Sequence, residues 1–154
     1  MCSSSKITRR NFTLSALLLA AMQQPCVSIA AGAIAVGLPP DVAYQGFAAG
    51  HSVNVADTDT AQQIALDSCR RAIGGSDVAK GLCKVVATFS DQCYALAIDP
   101  KANTRGVGWA IAENLQKADE QAMDQCRARS APNRRDHCVV LTPAEDHGCD
   151  GTAK

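Results

Sequence analysis

Aromatic residues are scarce. Of 154 residues one is Trp, two are Tyr and three are Phe. Lys and Arg together equal Asp and Glu, so the formal net charge is zero. Few stacking platforms and no basic excess argue against nucleic-acid recognition. Catalytic and metal signatures are missing too. No Cys-x2-Cys pair marks a zinc site. No serine lies in a Gly-x-Ser-x-Gly elbow. Gly106-Val107-Gly108 is only a fragment of a dinucleotide fingerprint, and a strand pattern follows it where a helix is needed. At 47% hydrophobic and 19% charged, the composition is neither disordered nor collagen-like. The length fits one domain.

What the chain has is cysteine, eight in all. Their meaning depends on the N-terminus. Lys6, Arg9 and Arg10 precede the apolar stretch Leu14 to Met22, and small residues follow at Ser28 and Ala30. A basic start, a short apolar core and small residues before a cleavage point make a signal peptide. The apolar stretch is too short for a permanent transmembrane helix. Thr8-Arg9-Arg10-Asn11-Phe12 resembles a twin-arginine export signal. Cys26 follows Pro25, unlike a lipoprotein acceptor, so no lipid anchor is expected. The expected organisation is a cleaved signal peptide over residues 1–30 and one domain over 31–154. Removing thirty residues from 154 leaves 124, with 12 basic against 15 acidic residues, a net charge of −3. That charge speaks against nucleic acid or an anionic membrane surface as partner. Six cysteines remain, at 69, 83, 93, 126, 138 and 149. An even number in a small exported domain reads as a disulfide framework.

An internal repeat organises those cysteines. Ala61-Gln62-Gln63-Ile64-Ala65-Leu66-Asp67-Ser68-Cys69-Arg70 recurs as Ala118-Asp119-Glu120-Gln121-Ala122-Met123-Asp124-Gln125-Cys126-Arg127. A second cysteine and a β-branched run follow each copy, at Cys83-Lys84-Val85-Val86 and Cys138-Val139-Val140-Leu141. Cys93 and Cys149 close the two copies. Two copies are too few for a solenoid, so a single domain with related halves, about 32–91 and 93–149, is the better reading. Helices are expected from Asp57 or Thr58 to Ala72 and from Leu115 to Arg129. Both place alanines and a cysteine on one face. Strands are expected at Ala33–Val36, Val42–Ala49, Cys83–Phe89, Tyr94–Ile98, Gly106–Ala112 and His137–Leu141. The order ββαβ-ββαβ predicts an α+β fold, a mainly antiparallel sheet carrying two helices on one face, stapled by disulfides. Alanine-rich helix faces bury little area, so disulfides would compensate for a thin core. The repeat predicts the pairs Cys69–Cys83 and Cys126–Cys138, leaving Cys93–Cys149 to tie the halves.

Several of these segments resemble a bacterial secreted family, catalogued as domain of unknown function 4189. They are Gly32-Ala33-Ile34-Ala35, Cys83-Lys84-Val85-Val86 with Phe89, Gln92-Cys93-Tyr94-Ala95-Leu96-Ala97, and Gly106-Val107-Gly108-Trp109, together with the two Ala-x3-Ala helices. The resemblance spans Gly32 to Cys149. It implies a small exported domain and supplies no catalytic residues. The chain departs from the family pattern at Gly50-His51-Ser52-Val53 and in the acidic tail from Thr142 to Cys149. Both places are candidates for a distinct partner surface.

The remaining candidates are weighed against plainer roles. His137-Cys138 and His147-Gly148-Cys149 bring His and Cys together as zinc sites do, but an oxidising compartment favours disulfides. His51 and His147 read as solvated loop residues and His137 as a surface residue beside a strand. The pairs Asp67–Arg70 and Asp124–Arg127 read as helix-face ion pairs. Trp109 reads as a core residue, and alignment of the copies sets it opposite His51. No metal or cofactor is predicted. The preferred reading is a non-enzymatic exported module binding another protein or an envelope component, with His51, Trp109 and His147 as a possible interaction surface. The alternative is a small envelope hydrolase, or an inhibitor of one, using His51 or His137 with a carboxylate.

Overall fold

The computed structural model describes residues 30–141 and 147–153, with the backbone alone at His147. The expected signal peptide, apart from Ala30, lies outside the described residues. The elements, in order, are β1 (Ala31–Gly37), α1 (Val42–Gln45), β2 (Ala48–Val55), α2 (Thr58–Arg70), α3 (Asp77–Gly81), β3 (Lys84–Phe89), β4 (Cys93–Ile98), β5 (Val107–Ala112), α4 (Leu115–Arg129), a 3-10 helix (Pro132–His137), β6 (Val139–Val140) and β7 (His147–Cys149). The fold is α+β, and every strand pairing is antiparallel.

The expected single sheet is instead two sheets. In the first, β1 lies between β2 and β3. In the second, β4 pairs with β5 along one edge, while β6 and β7 share its other edge. The alternation of side chains along each central strand explains the division. Ala31, Ala33 and Ala35 of β1 pack with Ala48 of β2 and with Ala61, Ala65 and Cys69 of α2. The intervening Ile34 and Val36 join Phe89 of β3 and Tyr94 of β4 in a separate cluster. On β4 the order is the same. Cys93, Ala95 and Ala97 pack under Ala118, Ala122 and Cys126 of α4, and Tyr94 turns toward the first sheet. Each sheet therefore carries a helix on its small-residue face and meets the other sheet through its large-residue face.

Small residues let the helices sit close. A β-carbon on Gly50 of β2 would lie 2.1 Å from the Cys69 nitrogen and 2.5 Å from the Ala65 oxygen. One on Gly108 of β5 would lie 2.2 Å from the Ala122 oxygen and 2.5 Å from the Cys126 nitrogen. Polar caps set both helix starts. Asp57 accepts from the Thr60 amide at 2.8 Å, and Asn114 accepts from the Lys117 amide at 3.0 Å. Each satisfies an amide that has no partner within its own first turn. The Asp67–Arg70 and Asp124–Arg127 pairs lie on the exposed helix faces, at 3.8 and 3.3 Å.

Two local expectations change. Val42–Ala49 is not a strand. Asp41 accepts from the Tyr44 amide and caps a single helical turn, and β2 begins only at Ala48. The strand expected at His137–Leu141 shortens to Val139–Val140, because Pro132 opens a 3-10 helix that continues through His137.

Three disulfides join Cys69 to Cys83, Cys126 to Cys138 and Cys93 to Cys149. The first two run from a helix to the start of a flanking strand. The third crosses directly between paired positions of β4 and β7. The segment after β7 also reaches the first sheet. The Asn54 amide donates to Asp150 Oδ1 at 2.6 Å, and the Gly151 amide donates to Asn54 Oδ1 at 3.0 Å. The Thr152 amide donates to Asp91 Oδ1 at 3.0 Å. Asn54 and Asp91 both have positive φ, which Asn and Asp tolerate better than most residues. Among the described residues, no helix is long and apolar enough to cross a membrane.

Candidate functional site

At one end of the sheet-to-sheet contact a broad cleft of about 1130 Å³ opens. One wall is α1 with the loop to β2 and the end of α2. The other is the end of β4 with the turn to β5 and Leu141. These walls come from distant stretches of sequence, and only packing of the two sheets makes them neighbours. Tyr44 and Ile73 stand out from the first wall, at 84% and 103% relative exposure. Large apolar side chains so exposed bury nothing within the chain, which makes them available to another molecule.

The floor is aromatic. A small cavity beneath the cleft is lined by Ile34, Ala49, Gly50, His51, Tyr94, Ala95, Leu96 and Trp109. The His51 ring lies 4.6 Å from that of Tyr94, and Tyr94 lies 5.9 Å from Phe89. His51 is thus a half-buried strand residue at the rim of both cavities, and the expected solvated loop is corrected. Its placement follows from Gly50, which faces α2 and turns the next residue toward the second sheet.

Trp109 shares this floor. The Arg129 guanidinium stacks over its ring at 4.7 Å and donates to the Val107 carbonyl at 2.6 Å. Burial pushes the Arg129 pKa below its ordinary value. This contact caps a carbonyl on an outer strand, one way that an open sheet edge is blunted. The structure therefore brings His51 and Trp109 to one cavity. The third sequence candidate, His147 of β7, pairs through its backbone with Ala95 of β4.

Among the described residues one carboxylate lines the cleft, and it is already engaged. Asp99 is 6% exposed. Arg134 of the 3-10 helix grips both its oxygens, at 2.9 Å from Nε and 2.5 Å from Nη2. The Lys101 amide adds a bond at 3.1 Å. The Arg134 hydrogen bonds hold the Asp99 carboxyl below the usual range, against the opposing effect of burial. The His137 ring is exposed. The Asp99 charge is thus committed to tying the 3-10 helix to β4, and a base role would have to break that pair. Among the described residues, no cluster of three or more His, Cys, Asp or Glu could hold a metal ion.

The cleft carries no local sequence signal, because its walls are distant in the chain. Tyr44 falls in the expected strand Val42–Ala49, and Ile73 lies just beyond the helix expected to end at Ala72.

The family model described as "Domain of unknown function (DUF4189)" matches residues 31–144. No curated protein and no solved structure matches the chain.

Proposed function

The chain belongs to the domain of unknown function 4189 family, and we propose that it is a small exported binding domain without catalytic activity, acting in the bacterial envelope or outside the cell. The observation that carries this reading is the broad cleft, with Tyr44 and Ile73 exposed on its wall and its Asp99 carboxylate spent on Arg134. Three disulfides fit an oxidising compartment. The basic and apolar N-terminus supports export, with cleavage after Ala30 and Arg9-Arg10 as a twin-arginine signal. We read the two halves as copies of one unit. The matching contacts of Gly50 with Cys69 and of Gly108 with Cys126 support that reading.

Site-specific photo-crosslinking tests the function. A photoreactive residue at position 73, in the cleft wall, is expected to trap a partner in intact cells. The same residue at position 64, on the outer face of α2, is not. Equal trapping at both positions, or ester or glycan hydrolysis abolished by His51→Ala, would overturn the reading in favour of a nonspecific surface or a hydrolase.

A further inference from the structure

We infer that the cleft accepts an extended peptide segment carrying acidic and aliphatic side chains, supplied by a partner protein. This rests on the binding role proposed above and adds the chemistry of the partner.

Charge comes first. Among the described residues, the charged groups on the walls are Arg71 at the end of α2, Lys101 on the opposite turn, and Asp99, and His51 and Tyr44 are the other titratable groups of the lining. Asp99 is neutralised by Arg134, which lies outside the cleft lining. Among the described residues, neither Arg71 nor Lys101 is in an ion pair. The cleft therefore presents two cations, one on each wall. The rest of the domain is net acidic, since residues 31–154 carry 12 basic and 15 acidic groups. A local cationic site favours a ligand segment that carries carboxylates.

Shape and polarity come next. About 1130 Å³ exceeds the usual range of a small-molecule pocket, roughly 300–1000 Å³. Open to solvent and roomier than an enclosed metabolite site, it has space for a chain segment. The lining is about equally polar and apolar, with Ile73 on one wall and Leu96 and Ile98 on the other. A polysaccharide would call for exposed stacking rings along the groove, and among the described residues of the lining Tyr44 has the one exposed ring, with Phe47 and His51 half-buried. An extended peptide alternates its side chains at a period of two. It can set aliphatic groups against Ile73, Leu96 and Ile98 and carboxylates toward Arg71 and Lys101. The Arg71 guanidinium suits a bidentate carboxylate contact.

Fluorescence anisotropy on the oxidised protein reads the outcome. The probes are fluorescein-labelled octapeptides that alternate Leu with Glu, Leu with Gln, or Leu with Lys. The Leu–Glu peptide is expected to bind at least tenfold more tightly than the other two. Arg71→Glu combined with Lys101→Glu should reverse that order, and Tyr44→Ala should weaken the Leu–Glu peptide severalfold. Both basic residues are exposed, so unchanged thermal stability of the double variant verifies that it folds. Equal binding of the Leu–Glu and Leu–Gln peptides at the cleft, still weakened by Tyr44→Ala, would overturn the acidic preference while leaving a binding role intact. Failure of all three peptides to bind, or binding indifferent to Tyr44→Ala, would overturn the peptide cleft, leaving the crosslinking at position 73 to decide the broader reading.

Discussion

Gly108 lies so close beneath Cys126 that a β-carbon on the glycine would stand 2.5 Å from the cysteine nitrogen. The neighbour is helix backbone, which cannot step aside as a flexible side chain would. Gly108→Ala must therefore push α4 off the second sheet or bend β5. Overpacking of this kind costs about 1–3 kcal/mol, and rigid backbone on both sides favours the upper end. Gly50→Ala, against Cys69 and Ala65, should cost a similar amount. Gly74→Ala provides the control, because nothing lies within 4 Å of its β-carbon position. Urea unfolding of the three variants should separate the first two from the third. Equal midpoints would refute the close-packing account.

The cystine between β4 and β7 closes a separation of 56 residues. It also holds the segment whose Asp150 accepts from the Asn54 amide of the first sheet. Removing it with Cys93→Ala and Cys149→Ala should cost about 2–4 kcal/mol, through the freedom returned to the unfolded chain. Amide exchange at Asn54 should accelerate more than exchange at Ala35 in the centre of the first sheet. Under non-reducing conditions the intact protein should weigh six protons less than its reduced form, two for each of the three bridges.

The α4 helix was legible because its pattern is local. Alanines at 118 and 122 and Cys126 recur at helical spacing, and the start at Leu115 and end at Arg129 match the sequence expectation. The α+β class was legible for the same reason. The split into two sheets was not. Along β1 every residue is buried, so the strand reads as covered on both faces, and no periodicity says whether the second cover is a helix or a sheet. Val42 to Phe47 misled because β-branched and aromatic residues suggest a strand, whereas the Asp41 cap selects a helical turn. β7 is three residues long and forms by pairing with distant β4. The cleft inherits that difficulty, since Tyr44, Arg71 and Lys101 meet only after both sheets have packed.

Asn114 offers a check on the start of α4. Its side chain accepts from the Lys117 amide, and Asn114→Ala leaves that donor to water. A loss of about 1 kcal/mol is expected from thermal unfolding. Asn114→Asp should hold the cap and retain stability near neutral pH. If the Ala and Asp variants melted alike, the cap would not be contributing.

Stability should also depend on pH through the pair formed by Asp99 and Arg134. The guanidinium holds the Asp99 carboxyl below its ordinary range, so in the unfolded chain this group takes up a proton at higher pH than in the folded protein. Its stabilising effect is therefore complete above the ordinary carboxylate range and lost as pH falls through the depressed folded value. Asp57 and Glu113 are also held low, by Thr60 and by Lys117, and add to the same acid-side loss. Asp99→Asn keeps the shape but removes the charge. It should cost about 1–3 kcal/mol at neutral pH, where a charge-assisted bond is lost and Arg134 keeps a weaker acceptor. The decisive measurement is the difference between wild type and variant across pH. It should be constant near neutrality and shrink in acid as the wild-type carboxyl protonates. A difference that stayed the same at every pH would mean that Asp99 acts by packing alone, and that the link between β4 and the 3-10 helix does not depend on its charge.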